Sequence, residues 1–107
     1  MLVVLTTTPN PEEAEQLARS IVDEKLAACV QILPKMTSVY FWEGKVQTES
    51  EYLLLIKTLE EKFDELSDFI KQNHSYEVPE IVAIAAEKVA GDYLNWIRGV
   101  TSQNRER

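Results

Sequence analysis

The stretch Ala28-Cys29-Val30-Gln31-Ile32-Leu33-Pro34-Lys35-Met36-Thr37-Ser38-Val39-Tyr40-Phe41-Trp42-Glu43-Gly44-Lys45 decides the fold. Ala28 to Leu33 is a β-rich run, Pro34 interrupts it, and Thr37 to Trp42 resumes it. Proline has no N–H for a ladder, so Pro34 reads as a bulge or bend in one long strand. Glu43-Gly44 reads as the turn of a hairpin. The returning strand runs from about Lys45 to Lys57, past Leu53-Leu54-Leu55-Ile56, and is long enough to reach beyond a compact sheet.

Upstream, Leu2-Val3-Val4-Leu5 is a short apolar run of the kind buried on both faces of a sheet. Thr6-Thr7-Thr8-Pro9 leaves that strand, and Asn10-Pro11-Glu12-Glu13 opens a helix. Asn10 suits the cap, Pro11 the first helical position, and Glu13 stands three after the cap. Ala14, Leu17, Ala18, Ile21, Val22 and Leu26 follow helical spacing. Downstream, Thr58-Leu59-Glu60-Glu61 reads as a capping box for a second helix with Phe63, Leu66, Phe69 and Ile70 inward. That helix ends near Asn73-His74, and Val78-Pro79 leads into a fourth strand over Glu80 to Ala86. Asp92 is placed to cap a last short helix carrying Tyr93, Leu94, Trp96 and Ile97, and Thr101 to Arg107 reads as a frayed end.

The order βαββαβ plus a terminal helix specifies an α+β, ferredoxin-like sandwich as one domain over residues 1–107, with a long hairpin between the second and third strands. The crossovers are expected to put two parallel strands at the centre with a hairpin partner outside. Both long helices have one apolar face and cover one face of the sheet. The other face keeps apolar side chains and wants a partner subunit.

The chain has 107 residues, a 45% hydrophobic fraction and a net charge of −7. Such acidity repels phosphate backbones, which argues against nucleic acid as a partner. One cysteine excludes an internal disulfide. No basic-then-apolar leader is legible, and Ile81 to Ala86, the longest apolar stretch, is far too short to span a bilayer. The expectation is a cytoplasmic protein with no membrane partner. There is no P-loop, dinucleotide turn, CxxC or HExxH, and a single histidine cannot build a histidine acid–base pair.

The residues with chemistry to offer each have two readings. His74, at a helix end, is either a cap favoured by the helix dipole or a metal ligand. Cys29 is either a small buried hydrophobe or a thiolate donor stabilised by Lys57. Lys57 is a solvated strand end, a salt-bridge partner, or a point charge for an anionic ligand. Tyr40, Trp42 and Tyr76 are core or interface aromatics, or a stacking platform. Glu77 and Glu80 are a solvated loop pair or hard oxygen ligands.

Several pieces resemble the CutA family of divalent-cation-tolerance proteins: Glu24-Lys25-Leu26-Ala27-Ala28-Cys29-Val30, Ser38-Val39-Tyr40-Phe41-Trp42-Glu43-Gly44-Lys45, Ile56-Lys57-Thr58, His74-Ser75-Tyr76-Glu77-Val78-Pro79-Glu80-Ile81 and Tyr93-Leu94-Asn95-Trp96. The resemblance runs from Val3 to Trp96. It implies a ferredoxin-like subunit in a tight homotrimer, no catalytic residue, and a link to copper(II) or another divalent cation. It also implies clefts between subunits that collect the positions of Cys29, Trp42, Lys57, His74 and Tyr76, with Glu80 beside them. His74 and Cys29 are then the metal candidates, and Trp42, Lys57, Tyr76 and Glu80 the ligand-cleft candidates. Copper-linked relatives can carry cysteine where this chain has Thr6 and a histidine pair where it has Asn73-His74. A second expectation is a small-molecule sensor or assembly module similar to the trimeric PII signalling proteins, with Lys57, Trp42 and Tyr76 lining an anion or nucleotide pocket.

Overall fold

A computed structural model describes residues 1–102 of the chain. The elements run β1 (Leu2–Thr8), α1 (Pro11–Asp23), β2 (Cys29–Trp42), β3 (Lys45–Thr58), a 3-10 turn at Glu60–Lys62, α2 (Phe63–Gln72), β4 (Val82–Ala85) and α3 (Gly91–Thr101). The four strands form one sheet in the order β2-β3-β1-β4. All neighbouring pairs are antiparallel. The ferredoxin-like sandwich is therefore as expected, but the expected pair of adjacent parallel strands at the centre is corrected. β1 and β2 share a direction, and β3 inserts between them, so the central pair is β1–β3.

Alternation along the strands sorts the two faces. Val4 and Ile56 are opposed, as are Thr6 and Leu54, and all four are fully buried. They face α1 and α2, which contribute Ala14, Leu17, Ile21, Leu66 and Ile70 to the same core. β1 is longer than its apolar run: Thr6, Thr7 and Thr8 are buried, not exit residues. Among the described residues the Thr6 hydroxyl has no hydrogen-bond partner.

Local chemistry explains the joints. Asn10 Oδ1 accepts from the Glu13 amide at 2.7 Å and so caps α1. That helix ends with Lys25 at φ 62°. Lys25 N–H reaches Val22 O and Leu26 N–H reaches Ile21 O, a Schellman closure with lysine at the position glycine usually takes. It aims the Leu26 carbonyl at the Thr58 hydroxyl, which donates to it at 2.7 Å. Thr58 is thus the last residue of β3 and not the head of a capping box. The residue preceding the 3-10 turn, Leu59, makes no side-chain cap, and α2 starts at Phe63.

Asp92 likewise lies inside the first turn of α3, whose capping position is Ala90. Thr101 does not fray: it is buried and its hydroxyl donates to Ile97 O at 2.8 Å. The rest of the expected frayed end, beyond Ser102, lies outside the described residues. β4 is shorter than expected, covering Val82–Ala85 only. No helix among the described residues is long and apolar enough to cross a membrane.

The hairpin is the dominant shape feature. Glu43 and Gly44 both have positive φ, 53° and 80°, as the mirror-image hairpin turn requires. Pro34 falls in the register shift between Leu33 and Met36, so the strand continues through a bulge as expected. β1 pairs with β3 only from Tyr52 to Thr58. Beyond that, the segment from Met36 to Glu51 is a two-stranded arm projecting from the sheet, and the molecule is 46 Å long.

Candidate functional site

Where the arm leaves the sheet, the open face of β3 carries Glu51. Alternation puts Glu51, Leu53, Leu55 and Lys57 on that face, with Thr7, Leu5 and Val3 beside them on β1. Glu51 is only 9% exposed. Its Oε2 accepts from the Tyr76 hydroxyl at 2.7 Å and from the Thr7 hydroxyl at 3.3 Å. Burial raises the Tyr76 pKa first, and the hydrogen bond to Glu51 and the charges of Glu51 and Glu49 add to it. The phenol therefore stays protonated and donates. Desolvation, then the charges of Glu49 and Glu51, also raises the Tyr40 pKa.

The loop after α2 is held over this spot by its own polar contacts. The Glu13 carboxylate, expected to close back on the helix cap, instead accepts from Ser75 N at 3.0 Å and Ser75 Oγ at 2.8 Å. The His74 side chain is fully buried. Its Nε2 lies 2.6 Å from Thr7 O, and its Nδ1 receives the Tyr76 amide at 3.0 Å. A carbonyl only accepts and an amide N–H only donates, so these partners assign the neutral Nε2–H tautomer. Both ring nitrogens are spent on bracing the loop to β1. The ring also lies 4.8 Å from that of Tyr76.

Between arm and loop lies a cavity of about 380 Å³. Tyr40, Trp42 and Tyr76 are its aromatic members and Glu51, Glu77 and Glu80 its charged ones, with Thr7, Ser75 and Val78 completing the wall. Trp42, Tyr76 and Glu80 thus line one cavity within the subunit. Lys57 is not with them. It sits about 20 Å further along β3 from Glu51. There it opposes Cys29 in the register and reaches the Tyr93 hydroxyl at 3.5 Å, 5.7 Å from that ring's centre.

The two metal candidates are also apart within the subunit. Cys29 is a half-buried free thiol beside Lys57, whereas His74 grips Thr7 at the other end of β1. Among the described residues, no three His, Cys, Asp or Glu side chains converge well enough to hold a metal ion. A wider hollow of about 590 Å³ runs along α1 near Val30. Its charged members are Arg19 and Asp23, of opposite sign, and it lies on the helix side away from these groups.

Glu51 and Thr7 are the site residues that sequence reasoning missed. A glutamate in a strand reads as solvated, and a threonine after an apolar run reads as an exit. The available signal was periodicity: Glu51 falls in step with Leu53 and Leu55, on the same face of the strand.

The description "CutA1 divalent ion tolerance protein" matches residues 2–100. The chain is 48% identical over 103 residues to the rice protein named "Protein CutA 1, chloroplastic", covering 96% of this chain and 58% of the rice protein. It is 46% identical over 96 residues to the Thermus thermophilus "Divalent-cation tolerance protein CutA", covering 90% and 93% of the two chains. A crystal structure of a point mutant of Pyrococcus horikoshii CutA1 superposes with a TM-score of 0.92 at 36% identity, covering 96% of this chain and all of that one. The chain spans little more than half the length of the plant and animal relatives, 58% for rice and 53% for human. A match over residues 2–100, with the same fold at this level of identity, leaves one assignment: the chain belongs to the CutA1 divalent ion tolerance protein family.

Proposed function

We propose that the protein is a homotrimeric, non-enzymatic binder of divalent cations, copper(II) foremost. The carrying observation is the projecting arm. Val39, Phe41 and Val46 on it are 66%, 71% and 68% exposed, and a lone two-stranded ribbon is marginal in water. Val82 and Ile84 of the edge strand β4 and Trp96 of α3 are exposed as well. Arms and edges of this kind are satisfied by copies of the same chain. Trimeric closure is the form the family resemblance implies.

The metal half rests on the family's name, on the acidic charge, and on copper(II) standing highest in the divalent affinity series. His74 and Cys29 enter it as separate donors. A metal at His74 must displace the Tyr76 amide from Nδ1. One at Cys29 must be completed by water or by a neighbouring subunit. No residue is assigned a catalytic role. The cytoplasm is the compartment we take, since a lone thiol stays reduced there, although the rice relative is named chloroplastic.

The second reading is the sensor or assembly module with an anion or nucleotide pocket between subunits; within one subunit Lys57 lies with Tyr93, apart from the cavity of Trp42 and Tyr76. The metal half is tested by native mass spectrometry of metal-stripped protein titrated with copper(II) against a competing chelator, alongside His74→Ala and Cys29→Ser. Uptake in proportion to subunits, reduced in either variant, is the expected result. A protein that stays empty under competition, or fills equally in both variants, contradicts this ligand set.

A further inference from the structure

The cavity between the arm and the loop has carboxylates that are too dispersed for a metal ion but well placed for a larger cation. Hard metal ions need several oxygens at short range, and no such trio converges among the described residues. Yet Glu51, Glu77 and Glu80 all border the same space of about 380 Å³, and no Lys or Arg among the described residues lines it. That volume matches a small-molecule site.

The remaining wall adds what an organic cation uses and a metal ion does not. Tyr40, Trp42 and Tyr76 present aromatic rings, whose negative faces attract alkylated cations and whose area covers an apolar body. Glu51 adds direction. Its Oε2 is fixed by Tyr76 and Thr7, while no described residue donates to its Oε1. Glu51 as a residue is only 9% exposed, and a carboxylate oxygen without a protein donor in so enclosed a place favours an N–H from a ligand.

We propose that this cavity binds a small protonated alkylamine, with the ammonium group donating to Glu51 Oε1 and the alkyl chain lying along Trp42 and Tyr40. Glu77 and Glu80 at the loop supply the field that draws the cation in. The proposal does not depend on metal binding, and a failure of the copper titration leaves it standing.

The test is isothermal titration of n-butylammonium chloride into the full, chelator-treated protein in its native assembly, with butan-1-ol and tetramethylammonium chloride as controls. Saturable binding of butylammonium, with none for the alcohol and weaker binding of the quaternary ion, is the expected result. Glu51→Gln weakens that binding roughly tenfold, as loss of one buried charge partner does. Glu80→Gln weakens it less. Should Glu51→Gln fail to fold, Glu80→Gln decides, since unchanged affinity there overturns the proposal. It is equally overturned by the absence of saturable heat, by an alcohol or tetramethylammonium that binds as well, or by unchanged affinity in a folded Glu51→Gln.

Discussion

Phe41→Asp is expected to release the protein as folded monomers. Phe41 lies on the projecting arm, paired in the register with Val46, and is 71% exposed in the single subunit. A charge there meets water in the monomer and costs its fold little. In the proposed trimer the same position is an aromatic anchor, the type of residue whose loss costs an interface about 2 kcal/mol or more. Adding a desolvated carboxylate raises that penalty by several kcal/mol, on the order seen for unpaired buried charges. Symmetry repeats the change in every subunit. Size-exclusion chromatography with light scattering reads the mass, and far-ultraviolet circular dichroism reads the retained sheet. A variant that keeps the wild-type mass contradicts a role for the arm in assembly.

Leu54→Asp is expected to do the opposite, abolishing the subunit itself. Leu54 is fully buried, opposes Thr6 across the central pair and packs in the core shared with α1 and α2. Truncating such a leucine costs about 2–5 kcal/mol. A carboxylate without a partner adds several kcal/mol more, or becomes protonated at similar expense. The sum is comparable with the entire stability of a domain, about 5–15 kcal/mol. Expression as insoluble or protease-sensitive chain is the expected outcome. Leu54→Ala separates the two effects by remaining folded with a lowered melting temperature. A soluble Leu54→Asp protein with an unchanged melting temperature contradicts the placement of β3 at the centre of the sheet.

The contrast between Phe41 and Leu54 also shows what could be read without coordinates. Alternation and apolar runs marked both as strand residues, and Pro34 and Glu43-Gly44 marked the bulge and the turn, because each of those signals is local. The strand order was misjudged because adjacency in a sheet is non-local: the sequence pattern does not distinguish β3 beside β1 from β3 outside it. Thr58 and Asp92 carried the right chemistry for caps, but neither stands at a capping position. The first donates to the Leu26 carbonyl, and the second stands two residues past the capping position of α3, Ala90.

The candidate site was half legible for the same reason. Trp42, Tyr76 and Glu80 are distinctive residue types, and they do meet. Lys57 and Glu51 lie on one face of one strand, so alternation alone could not tell which of them stands at the cavity. Partner geometry decides it: Tyr76 and Thr7 select Glu51, and Tyr93 keeps Lys57. His74 was legible as chemistry but not as a brace, because its partners Thr7 and Tyr76 are fixed only by the folded loop.

The account turns on self-association, since the arm, the β4 edge and the open face are left unsatisfied in one subunit. The most direct test is sedimentation equilibrium of the metal-stripped wild-type protein over a dilution series. A single species of three times the 12.3 kDa chain mass, dissociating only with loss of structure, is the predicted result. A folded 12.3 kDa species whose melting temperature does not change with concentration would contradict it.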